Sequence, residues 1–220
     1  MKIILGLVGA IIIVGGAYYF LSGTNAVPPS VVQNQIASTT PTTQEASSTP
    51  TTTNPTKNIM QATLHTNMGD ITVEFYSDQA PNTVANFIKL AQSGFYDSTK
   101  FHRVIKSFMD QGGDPLTKDD TKAAQWGQGG PGYTIQDEFG TTYTNVAGTL
   151  AMANTGQPNS GGSQFFVNAV DNHFLDGKYT VFGHVTAGMN VVTAINNVPV
   201  GANDAPVTPI VLTRITLSEK

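Results

Sequence analysis

FHRVIKSFMDQGGD, residues 101–114, opens as a short β-prone run and closes on two glycines and an aspartate, a strand followed by a turn. Further β-prone runs follow downstream, LAMA (150–153), QFFVN (164–168), TVFGHV (180–185) and IVLTRITL (210–217), each bounded by Gly, Pro or Asn turns. Upstream, residues 60–66 and 70–76 read as a hairpin around the tight turn Asn67–Asp70, with Ile71, Val73 and Phe75 on one face. Pro81 at a first helical position, Val84, Phe87, Ile88 and Ala91 at one-face spacing, and Gly94 beyond the end predict a helix of about a dozen residues. A second short helix fits Met189–Asn196. Many short strands with two helices predict an antiparallel sheet closed on itself, its ends plugged by the helices.

This domain is expected over residues 59–220, where nine Lys and Arg against fourteen Asp and Glu give a charge of −5. Two unlike segments precede it. Residues 3–21, IILGLVGAIIIVGGAYYFL, hold no charge, and as a helix they would be about 28 Å long, close to the hydrocarbon core of a bilayer. Lys2 lies before them and no other Lys or Arg occurs until Lys57, which places the N-terminus inside and the rest outside. An uncleaved anchor is the favoured reading of residues 1–21; a cleaved signal needs a shorter apolar run, and a buried core helix is the third alternative. Residues 22–58 read as a disordered linker: between 28 and 56, eighteen of twenty-nine positions are Thr, Ser or Pro, too polar to offset the entropy of ordering.

Composition removes several functions. The chain of 220 residues has a net charge of −4, which leaves no basic surplus for nucleic acid. With no cysteine there is no disulfide, thiolate metal site or thiol nucleophile. Gly127–Gly132 fits G-x-G-x-x-G, yet Pro131 and the lack of a following amphipathic helix remove the pyrophosphate site. Ser163 sits in GGSQF rather than a nucleophile elbow. Asp114, Asp119 and Asp120 lack calcium-loop spacing and read as solvated loop acids, and the four histidines show no metal-ligand spacing. Neither metal nor cofactor is expected.

FHRVIKSFMDQGGD, LAMANTG, GGSQFFVN and FLDGKYTVFG together resemble the cyclophilins, the cyclosporin-binding peptidyl-prolyl cis-trans isomerases, over roughly residues 59–219. The long loop GDPLTKDD…WGQGGPGYTIQDE resembles bacterial members. The resemblance implies an eight-stranded antiparallel barrel capped by two helices. It implies that Arg103, Phe108 and Gln111 carry catalysis. It further implies that His102, Met109, Ala153, Asn154, Gln164, Phe166, Phe174, Leu175 and Tyr179 line or support the groove for proline-containing peptides, with Ala153 and Asn154 on an edge that pairs with extended substrate.

Four departures bear on function. Lys106–Ser107 stands where many members have Pro-Gly, and Tyr179 where the best-known eukaryotic members have histidine. Phe174 replaces their tryptophan, so an indole N–H is lost and strong cyclosporin binding does not carry over. The loop from Leu116 to Gln128 is also long, and Trp126 within it reads as loop packing or a groove-rim contact. The expected activity is isomerisation of X-Pro bonds during folding outside the cytoplasmic membrane; the alternative is a proline-peptide binding module with little turnover.

Overall fold

The computed structural model describes residues 59–219; the anchor and linker readings for 1–58 lie outside the described residues. The first hairpin pairs β1 (Ile59–Thr66) with β2 (Gly69–Phe75), and α1 (Pro81–Gln92) follows. Then come β3 (Thr99–Lys100), β4 (Arg103–Ile105), β5 (Met109–Gly112), β6 (Thr149–Met152), β7 (Phe165–Asn168), β8 (Val181–Ala187), α2 (Met189–Asn196) and β9 (Val211–Glu219). Four short 3-10 turns decorate the loops among the described residues.

The strands form one antiparallel sheet in the order β3-β9-β1-β2-β8-β6-β7-β5-β4. This corrects the expected eight strands in a closed barrel: among the described residues there are nine strands, curled, in an order with two ends. The reason lies in residues 99–105. This run breaks at Phe101 and His102; Thr99–Lys100 pair with β9, whereas Arg103–Ile105 pair with β5. The Phe101 amide donates to the Ile210 carbonyl and the His102 amide to the Gln111 carbonyl, both at 3.0 Å. The two ends of the sheet are therefore halves of one stretch of chain, joined covalently rather than by a ladder.

Side chains alternate across the strands, so the sheet has an inner and an outer face. The inner face holds the core: Leu64, Ile71, Val73, Val104, Leu150, Val167 and Leu212 are buried there. Over it lies α1, whose Phe87 is fully buried with ring centroids 4.9–5.7 Å from Tyr96, Phe182, Phe165 and Phe75. Ala80, before the helix, offers no side-chain cap. The cap comes from Glu138, whose carboxylate accepts from the amides of Asn82 (3.0 Å) and Thr83 (2.8 Å), placing a negative charge at the positive helix end. Gly188 starts α2 at φ +90, where a Cβ would lie 2.2 Å from the Asp70 carbonyl oxygen; only glycine fits.

Candidate active site

The outer face carries a second, smaller apolar cluster. Met109, Ala151, Phe166, Leu175 and Val181 are buried in it, with Ile105, Phe108, Ala153 and Tyr179 packed around the edge. Beside it lies a polar row set by strand register. Arg103 of β4 pairs with Gln111 of β5, Gln111 with Phe166 of β7, and Phe166 with Ala151 of β6, so these four side chains share one face. Their neighbours Val104, Asp110, Val167 and Leu150 are in register on the inner face.

Hydrogen bonds fix the polar row. Arg103 Nη1 donates to Gln111 Oε1 at 3.4 Å, and Gln111 Nε2 to Gln164 Oε1 at 2.9 Å. Gln164 Nε2 in turn donates to the carbonyls of Gly127 (2.9 Å) and Gly129 (2.8 Å). The relay aligns both glutamine amides and leaves the Arg103 side chain 41% exposed at the groove. Phe108 is held from behind: its carbonyl accepts from the Ala169 amide and from Asn172 Nδ2, both at 3.0 Å. Phe174, 63% exposed, stacks on Phe108 at 5.6 Å, and Tyr179 meets Phe166 edge-on at 5.5 Å. Met109, Phe166 and Leu175 make the apolar floor, each under a tenth exposed.

Residues 61–217 match the family described as cyclophilin type peptidyl-prolyl cis-trans isomerase/CLD. The chain belongs to the cyclophilins. Among similar proteins is the peptidyl-prolyl cis-trans isomerase CYP18-1 of Arabidopsis thaliana, 42% identical over 159 residues, spanning 72% of this chain and 96% of that protein. Another is the probable peptidyl-prolyl cis-trans isomerase A of Mycobacterium leprae, 43% identical over 175 residues, with 71% and 91% covered. A crystal structure of a Cryptosporidium parvum cyclophilin superposes with a TM-score of 0.67 at 32% identity, covering 74% of this chain and 99% of that one. The same Cryptosporidium protein is known in the presence of the dipeptide Ala-Pro, with a TM-score of 0.66. This cyclophilin is a peptidyl-prolyl cis-trans isomerase.

Not every predicted site residue reaches the groove of this cyclophilin. His102 is only 6% exposed, and its Nε2 is 3.7 Å from where a Cβ on Gly127 would stand, so it supports the loop from beneath. Burial lowers its pKa against the pull of the Asp114 carboxylate and of the Lys100 backbone. The Ala153 amide is spent on the Gln164 carbonyl at 2.9 Å, which removes that N–H from pairing with substrate. Asn154 turns its side chain back, donating to the Lys178 carbonyl and accepting from the Gly156 amide. Its backbone, with the Ala153 carbonyl, is what this edge has left to offer an extended peptide.

Asp114 is no solvated loop acid. It is fully buried and accepts from the amides of Leu116, Gly127 and Gly129, pinning the long loop to the strand end. A Cβ on Gly129 would stand 2.0 Å from Asp114 Oδ1, so this close approach requires glycine. Trp126 packs within the loop, its Nε1 3.4 Å from the Asp119 carbonyl and its ring under Lys100 Nζ at 4.9 Å. Sequence reading missed Ile105, Ala151 and Val181 in the apolar cluster, and it missed Asp204, whose Oδ2 lies 3.4 Å from Arg103 Nε. The first three alternate like any core strand residues, and Asp204 is far from Arg103 in the chain with no motif around it.

Proposed function

We propose that Arg103 is the group that lowers the rotation barrier, that the floor of Met109, Phe166 and Leu175 with Phe108 at its rim seats the proline ring, and that Gln111 and Gln164 hold the peptide and the guanidinium. The observation that carries this is the register row Arg103–Gln111–Phe166, which sets a permanently charged donor beside a buried aromatic floor. Rotation about X-Pro is opposed by about 18–20 kcal/mol of amide resonance. A donor aimed at the prolyl nitrogen draws its lone pair out of conjugation, and the apolar seat strips water from the planar ground state. Three decades of acceleration need about 4 kcal/mol, within reach of a few preorganised hydrogen bonds and shape. Arg suits this because its planar fork stays protonated and offers several N–H groups at once.

The substrates are then proline-containing extended polypeptides, read mainly through main chain at the 153–154 edge and through the proline ring. Phe174 stacks on Phe108 without an N–H to give, which argues for weak cyclosporin binding. The uncharged run 3–21, with its single flanking Lys2, supports an inside N-terminus and an isomerase domain tethered by residues 22–58 outside the cytoplasmic membrane. The loop 114–138 supports a bacterial type. The deciding experiment is two-dimensional NMR exchange on a cis/trans proline peptide with the parent chain and Arg103→Ala. Arg103→Ala is expected to lower turnover by about a hundredfold or more while peptide affinity stays within about tenfold, as for a transition-state interaction. Equal losses in both would refute the role of Arg103, and a parent that shifts peptide signals without exchange would make the groove a binding module.

A further inference from the structure

Arg103 has two polar partners, a hydrogen bond and an ion pair. Nη1 donates to Gln111, and Nε meets Asp204 Oδ2, both at 3.4 Å. Asp204 comes from the 3-10 turn Ala202–Asp204, in the connection between α2 and β9. The backbone there is unusual: Asn203 and Asp204 both take φ +59, a left-handed conformation that among residues with a Cβ is entered most readily by Asn and Asp, and then mostly singly, whereas here two do so in succession. The turn is braced across its base, where Gly201 N donates to the Ala205 carbonyl at 2.8 Å and Val207 N to the Pro199 carbonyl at 2.9 Å. Yet the side chains it brings together are 41% and 45% exposed. An ion pair that wet adds little to folding stability, so stability does not account for a strained turn that ends on this contact.

Orientation does account for it. A guanidinium free to swing must be reordered each time the imide passes through its twisted state; one hydrogen-bonded through Nη1 and ion-paired with a carboxylate beside Nε keeps its remaining N–H groups aimed at the groove. We propose that Asp204 is a positioning residue of the isomerase, its carboxylate ion-paired beside Arg103 Nε so that the donor face is preset for the prolyl nitrogen. The proposal rests on Arg103 being that donor.

Asp204→Gly separates this role from a structural one, because glycine accepts the left-handed backbone while removing the carboxylate. It is expected to lower kcat by about fivefold with KM within about twofold, the scale of a half-exposed ion pair, while the melting temperature holds or rises. Asp204→Asn, which keeps a neutral acceptor and tolerates the backbone, should recover most of the loss. In an Arg103→Ala background, adding Asp204→Gly should change the residual rate by less than about 1.5-fold, since coupled residues are not additive. Parent-like or faster kcat in Asp204→Gly, a change confined to KM, or the same fold-loss without Arg103 would each overturn the proposal. If Arg103→Ala itself turns over like the parent, it is the donor assignment that fails; if Arg103→Ala is crippled and Asp204→Gly is not, only the role of Asp204 falls.

Discussion

Ser107 occupies the left-handed region at φ +57, in the turn that carries the chain from β4 to β5. The Phe108 amide closes this turn on the Ile105 carbonyl at 3.0 Å, and the Ser107 amide donates to Asn196 Oδ1 at 2.8 Å. The Lys106–Ser107 departure therefore leaves the turn intact and moves its cost into backbone strain. Glycine would relieve about 1 kcal/mol of that strain and return part of it as unfolded-state entropy. Ser107→Gly is expected to raise the urea midpoint by an amount equivalent to roughly 0.5 kcal/mol while kcat/KM stays within about twofold, because Phe108 keeps both bonds to its carbonyl. At this scale the sequence was informative where one residue does one job in a run of neighbours: Arg103, Gln111 and Phe166 were legible from their blocks. Asp204 and Asn196 were not, since their partners lie about a hundred and about ninety positions away and a single Asp or Asn has no periodicity to betray it.

Among the elements, β5 shows why local propensity falls short. Met-Asp-Gln-Gly has no β-branched residue and ends at a glycine, yet it is the strand on which the site depends, made so by pairing with β4 on one side and β7 on the other. The hairpin β1–β2 and both helices were readable because alternation, Pro81 and the one-face spacing are local signals. Within β5, Asp110 points inward at 1% exposure and accepts from Asn196 Nδ2 at 2.8 Å. Burial pushes its carboxyl up to about 7, partly countered by the bond from Asn196. Such a group binds a proton more tightly folded than unfolded, so its stability contribution is full below about pH 4 and is lost as pH rises towards 7. Asp110→Asn keeps an oxygen acceptor without the charge. In urea unfolding, the parent should lose stability relative to this variant between pH 5 and pH 8, by roughly 3 kcal/mol. A gap independent of pH would show that Asp110 does not titrate in this range.

For the molecule as a whole, the outer strands of the ladder are β3 and β4, two and three residues long. Edges so short offer little template to another chain. An isomerase that works among unfolded polypeptides needs that protection, and the proposed placement at a membrane is directly testable. In cells stripped of any outer envelope, so that only the cytoplasmic membrane remains, added protease is expected to cut within residues 22–58 and release an active fragment beginning near residue 59, while residues 3–21 stay with the membrane pellet. A domain protected until the membrane is opened would overturn the placement.

The pairing of β1 with both β2 and β9 also sets a timetable. Among the described residues β1 is the first strand to be made and β9 the last, so one side of β1 has no mate until every strand from β2 to β8 has been made. Contacts this distant along the chain are slow to form and expose apolar strands while they wait. A catalyst of late folding steps in other proteins is thus itself a late folder: β1 is locked in place only once β9 has emerged from the ribosome and, by the proposed topology, crossed the membrane.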